Sequence, residues 1–265
     1  MLPKATSLPT MEDLPSENIG DPGVPDEFHL MQPELLRQTF CPPNYPAEQV
    51  FSACDLNLYY DLNHTHWYKR PDWFGVVGVP RLYRGQDLRL SYVIWQEQVA
   101  PLVVVELLSP GTEKEDLGQT ASDPEEPPTK WTVYQDILRV PYYIVFDRYT
   151  DRLYAFRLVG DRYQPFVPTG KGLWLPEVAL GLGLWQGSYR GLQRLWLRWY
   201  DQAGHWIPTT EELLEQERLR AEQERQRAEQ ERQRAEQERQ RAEQLAAYLR
   251  RLGIDPATIA PQDLP

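Results

Sequence analysis

A chain of 265 residues with a 41% hydrophobic share and nine tryptophans is long enough for one sizeable core plus appendages. Its formal net charge of -11 is the wrong sign for holding nucleic acid by bulk electrostatics, so a polyanion site would rely on local basic groups or metal ions. No apolar run approaches the roughly 18–20 residues of a bilayer span, and "MLPKATSLPTMEDLPSENIG" has no apolar signal core. A cytoplasmic protein away from membranes is expected, with Cys41 and Cys54 as free thiols.

Residues 1–45 are rich in proline, glycine and acids, and only "PELLRQTF" looks helical, so an extended N-terminal arm is predicted. From 46 to 205 short β-like runs alternate with turns: "NLYYDL", "DWFGVVGV", "SYVIWQE", "PLVVVELLS", "YYIVFD", "RLYAFRLV" and "YQPFVPT". "PTKWTVYQDILRV" is the clearest helix of this block, with Trp131, Tyr134 and Leu138 at helical spacing. Gly160-Asp161 breaks a predicted hairpin. The tryptophans of "LWLPEVALGLGLWQGSYRGLQRLWLRWYD" are expected to cover a sheet rather than stack on bases.

Residues 206–253 differ in kind. The unit "AEQERQR" starts at Ala221, Ala228 and Ala235, and Ala242, Leu245, Leu249 and Leu252 continue the stripe. Thr209 with Glu212 suggests a capping box, and Gly253 a stop. The helix would run on the order of 40 residues, or ~60 Å. Glu224, Glu231 and Glu238 on its seam leave both a solvated single helix and a self-associating coiled coil open. A short tail, 254–265, follows.

Three residues in the 46–205 block point to chemistry. Glu106 stands inside the apolar run "PLVVVELLSP", Asp72 follows Pro71 as another apolar run begins, and Lys130 opens the predicted helix. A carboxylate in such a run is costly to bury unless paired. Two carboxylates brought together repel and rise in pKa unless a cation lies between them. A divalent ion with oxygen ligands removes the conflict, with Mg²⁺ expected and Mn²⁺ an alternative. Such an ion polarises a phosphodiester and acidifies a bound water, and a nearby lysine orients that water or stabilises developing charge.

Taken in order, "RPDWFGVVGV", "PLVVVELLSPGTEKEDLG" and "KWTVYQDILRVPYYIVFD" resemble the Uma2 family of endonucleases, in the restriction-endonuclease-like superfamily with the PD-(D/E)xK site. The likeness covers roughly residues 45 to 205, and the Arg- and Glu-rich helix resembles cyanobacterial members. It implies an α/β fold: a mixed β-sheet core flanked by helices, with the acids at strand ends. It implies Asp72 and Glu106 as metal ligands, Lys130 as the catalytic lysine, DNA as substrate, and a homodimer as a common state. In the superfamily pattern the lysine stands two residues after the second acid, where this chain has Leu108. Lys130 then takes its place across the stretched link "EDLGQTASDPEEPPT", with Lys114 as the fallback.

Competing readings stay open. Asp72 could cap a turn, and Glu106 could be an ion-pair partner of Arg70 or Arg89. The domain could be a catalytically silent scaffold that assembles through its C-terminal helix. His64 and His66 lack a third ligand for zinc, Ser109 lacks a nucleophile-elbow context, and Asp116 and Gln119 are expected as supporting groups near the site.

Overall fold

The computed structural model describes residues 8–10, 13, 26–109, 111–121, 126–253 and 255. Most of the first 25 residues of the predicted arm, the 254–265 tail apart from Asp255, and residues 122–125 of the link lie outside them. The chain divides into two compact units, Met1–Thr209 and Thr210–Pro265.

The first unit is a mixed α/β domain. In chain order its strands begin with β1 (Val50–Cys54), β2 (Leu58–Tyr59), β3 (Tyr68–Lys69), β4 (Trp73–Val77), β5 (Tyr92–Val93) and β6 (Val103–Leu107). They continue with β7 (Tyr142–Asp147), β8 (Arg152–Val159), β9 (Arg162–Pro165), β10 (Gly172–Leu175), β11 (Leu180–Tyr189) and β12 (Leu192–Tyr200). The main sheet has the order β1-β4-β6-β7-β8-β9, with β6 and β7 parallel and the other pairs antiparallel. β6 is thus internal, which suits its near-continuous apolar sequence.

Side chains alternate across this sheet, because successive residues of a strand point to opposite faces. Trp73, Val103, Val105, Leu107, Tyr142, Ile144 and Phe146 belong to one core. That core is closed by helix α1 (Phe28–Thr39) and by the small antiparallel sheet β10-β11-β12. Phe74, Val76, Val104, Tyr143 and Val145 face the other way, into a core shared with Val133, Tyr134, Leu138, Tyr92 and Leu58. The tryptophans Trp196 and Trp199 are fully buried in the first core, where Trp199 packs on Phe40 and Trp73. They therefore cover the sheet, but as members of a second sheet that the sequence pattern had not separated.

Two stretches depart from expectation. The helical look of "PELLRQTF" extends back to Phe28 as α1, which packs into the core with Phe28, Leu35 and Leu36 buried instead of lying in an extended arm. Polar contacts fix it. The Gln32 amide donates to the Leu197 carbonyl at 2.9 Å and accepts from the Leu197 N–H at 2.8 Å, acting as a short extra strand beside β12. The run "SYVIWQE" splits into β5 and a single helical turn, α2 (Ile94–Glu97), which Gln98 ends in the left-handed conformation at φ 58°. The hairpin β8-β9 turns at Gly160, whose φ of 62° suits glycine.

The second unit is the helix α5 (Thr210–Arg251), 42 residues with no buried side chain. It carries short-range ion pairs such as Glu215–Arg218 and Glu229–Arg232, and Gly253 stands just beyond its end with φ 78°. Among the described residues no helix is long and apolar enough to cross a membrane.

If α1 is core, Leu36→Ala lowers the unfolding free energy by about 2–5 kcal/mol, whereas Leu30→Ala on the exposed face changes it by less than about 0.5 kcal/mol. Urea denaturation of the two variants checks this, and equal effects would return α1 to the surface.

Candidate active site

Antiparallel pairing of β4 with β6 sets Trp73 opposite Val105. One further step of the same register brings Asp72 opposite Glu106, both on the face turned away from α1. The Leu107 N–H donates to Asp72 Oδ2 at 2.6 Å, and the Asp72 N–H lies 3.4 Å from Glu106 Oε2. Each acid is thus tied to the backbone beside the other.

The third component comes from above that face. After the link, α4 (Lys130–Thr132) starts with Thr129 as its N-cap, whose side chain accepts from the Thr132 N–H. It continues into a wider π-type turn over Val133–Ile137, a feature that recurs at functional sites. Lys130 Nζ lies 3.1 Å from Glu106 Oε2 and 2.8 Å from Asp116 Oδ1. Tyr134, four residues on and so on the same helix face, donates its hydroxyl to Glu106 Oε1 at 2.8 Å. Both Glu106 oxygens are therefore oriented.

Burial dominates the electrostatics. Glu106 is 1% exposed, and its desolvation pushes the carboxyl up to about 8, with Lys130 opposing the shift and the Asp72 and Asp116 charges adding to it. Asp72 is raised to about 6 by the same burial, against the Leu107 N–H and Lys130. Burial alone would lower Lys130, but the Glu106 and Asp116 carboxylates override it and hold the ammonium above its usual range. Asp72, Glu106 and Asp116 thus surround the Lys130 ammonium, with Lys69 and Glu115 paired beside them. Among the described residues no group of three or more His, Cys, Asp or Glu forms a cation cage. Two carboxylates completed by water or substrate oxygens is the Mg²⁺ pattern.

The other candidates are placed as follows. Lys114 is exposed on the short helix α3 (Glu113–Asp116), and Gln119 is exposed outside the cluster. Arg70 pairs with Asp55 and Arg89 with Glu97, so neither is the partner of Glu106. His64 pairs with Asp61 and stacks on Trp67. The Ser109 N–H donates to Thr112 within a turn. Asp116 is 1% exposed and touches Lys130 directly. Tyr134 was legible only as a core residue, although its spacing from Lys130 carried the signal.

The family model for Uma2, described as "Putative restriction endonuclease", matches residues 17–193. The chain belongs to the Uma2 family. The match ends before α5, so the family domain corresponds to the first unit. A crystal structure described as "a putative nuclease belonging to DUF820 from Anabaena variabilis" is similar at 12% identity and a TM-score of 0.35. The alignment covers 51% of this chain and 64% of that one, so this Uma2 chain spans less than two thirds of that protein. No match was found among curated proteins.

The raised carboxyls set a pH dependence. Folded Asp72 and Glu106 bind protons more tightly than their unfolded counterparts, so their contribution is full below about pH 4 and is lost as pH rises toward 8. In EDTA, stability is expected to fall between pH 5 and 8, with a limiting slope of about 1.4 kcal/mol per unit for one proton. Glu106→Gln should flatten the upper part of that profile. Equal slopes in urea titrations of both proteins would contradict the assignment.

Proposed function

We propose that the Uma2 domain is a divalent-metal-dependent endonuclease that hydrolyses phosphodiester bonds in DNA. The observation that carries this reading is the meeting of Asp72, Glu106 and Lys130 within one small polar cluster on an otherwise apolar sheet face. Asp72 and Glu106 would hold Mg²⁺ or Mn²⁺. When bound, the ion supplies a Lewis acid for a phosphate oxygen and a water of lowered pKa. Tyr134 fixes Glu106 through Oε1 and leaves Oε2 facing Asp72 and Lys130. Lys130, charged and 20% exposed at its side chain, orients the attacking water and faces the charge that builds on the phosphate.

Cleavage of plasmid DNA in Mg²⁺ or Mn²⁺ tests the reading. Asp72→Asn and Glu106→Gln should each abolish metal-dependent cleavage with circular dichroism unchanged, and Lys130→Met should lower kcat by about 10²–10³-fold. Wild-type rates in both carboxylate variants would remove it. Calorimetric Mg²⁺ titration should show binding that Asp72→Asn loses, with protons released near pH 7 because the ion displaces those held by the raised carboxyls.

A second reading, an inactive nuclease-like scaffold assembling through α5, is favoured by the net charge of -11 and by a 42-residue helix with no buried side chain. The same calorimetry separates the two, since a scaffold without a site shows no specific Mg²⁺ binding.

A further inference from the structure

The lysine of this site stands on a helix rather than two residues after Glu106, and the segment between them is where its placement is decided. Asp116, at the end of α3, accepts from Lys130 Nζ at 2.8 Å, closer than Glu106 at 3.1 Å. Its neighbour Glu115 accepts from the Lys130 backbone N–H at 3.3 Å and lies 3.5 Å from Lys69 Nζ. Consecutive carboxylates of α3 therefore hold Lys130 at both ends, backbone and ammonium.

α3 is itself anchored. Tyr143, on β7 beneath it, donates its hydroxyl to the Asp116 carbonyl at 2.8 Å. Gly118 has a φ of 69°, and a Cβ there would come within 2.5 Å of the Trp131 indole, the residue after Lys130. The α3 end thus packs without a gap on the start of α4. A lysine stem carries about 2 kcal/mol of rotamer entropy and its ammonium is strongly hydrated, so an untethered Lys130 would spend its time in water rather than beside Glu106.

We propose that Asp116 is a positioning residue for Lys130, and that α3 grips this lysine at two points to deliver its ammonium to Glu106. Any effect on catalysis rests on the nuclease reading above, whereas the grip itself does not. Asp116 acts through Lys130 and is not a metal ligand.

The test uses the full chain. Asp116→Asn should lower kcat for plasmid cleavage by about 10–100-fold, the usual cost of losing an orienting partner, and leave KM and the calorimetric Mg²⁺ affinity unchanged. In a Lys130→Ala background the same substitution should cause no further loss, because its route is gone. Equal losses in both backgrounds, or lost Mg²⁺ binding, overturn the proposal. A second readout needs no activity: acetylation by N-hydroxysuccinimidyl acetate, read by mass spectrometry as the ratio of Lys130 to exposed Lys114. Asp116→Asn should raise that ratio about ten-fold, the equivalent of one charge-assisted hydrogen bond, while Glu113→Gln on the exposed side of α3 leaves it unchanged. An unchanged ratio in Asp116→Asn overturns the grip whatever the cleavage result. If wild type cleaves nothing, the nuclease reading fails and the ratio still decides the grip. Should Asp116→Asn not fold, Glu115→Ala removes the acceptor at the backbone end, and a raised ratio supports the grip while an unchanged one refutes it.

Discussion

The burial of Glu106 is the constraint from which the rest of the domain follows. Its strand lies third in a six-stranded sheet and is covered on both faces. Removing a carboxylate from water costs several kcal/mol unless charges and hydrogen bonds replace the lost hydration. Each replacement comes from a different part of the chain: the Tyr134 hydroxyl and Lys130 ammonium from the helix above, and the Asp72 N–H from the adjacent strand. Those partners tie the β4–β6 register to the seating of α4. A one-residue slip of β4 would swing Asp72 to the α1 side and leave Glu106 without its neighbour. The costly group thereby specifies how the surrounding elements pack.

The strands around the site were legible because each is a short apolar run ended by glycine or proline, and Glu106 and Asp72 were conspicuous as acids within them. Lys130 was legible only through the ordered motif, since helix-start lysines are ordinarily solvated. Asp116 was expected near the site, but not its contact with Lys130, because "GTEKEDLG" is a loop by composition and the burial of Asp116 depends on Tyr143 and Lys130, which are distant in sequence. The same limit explains α1. Its apolar residues Phe28, Leu35 and Leu36 lie in a proline- and acid-rich context, and their burial depends on β12, 165 residues later by the Gln32–Leu197 contact. Long strands of the small sheet, with Gly181, Gly183 and Gly187 inside them, broke the expected alternation. Those glycines make room for rings: a Cβ at Gly187 would strike Trp185, and one at Gly181 would strike Tyr200.

The acidic balance of the molecule bears on how a nucleic acid would be engaged. A net charge of -11 gives no long-range attraction for a polyanion, and counterion release by lysine and arginine contacts would be small. The site itself mixes charges, with Asp72, Glu106 and Asp116 around Lys130 and Lys69 paired with Glu115 beside them. A phosphate approaching that cluster unaided meets repulsion at short range. Under the proposed function, a dication held by Asp72 and Glu106 would add positive charge at the point of contact and make metal and substrate binding cooperative.

The displaced lysine has a structural logic of its own. A lysine at position 108 would project from the same face as Glu106, two residues along one strand, and the sheet would fix its stem. Here Leu108 fills that place and is 4% exposed, packed in the core beneath α4. The apolar side chain strengthens the seat of the helix, and the helix returns the ammonium from above. The exchange moves the control of lysine position from backbone register to tertiary packing, which is softer. A helix only a turn long before its π-type widening cannot hold a flexible amine by itself. Something outside it must, and the nearest rigid acids are those of α3, anchored to β7 by Tyr143 and to α4 by the Gly118–Trp131 contact.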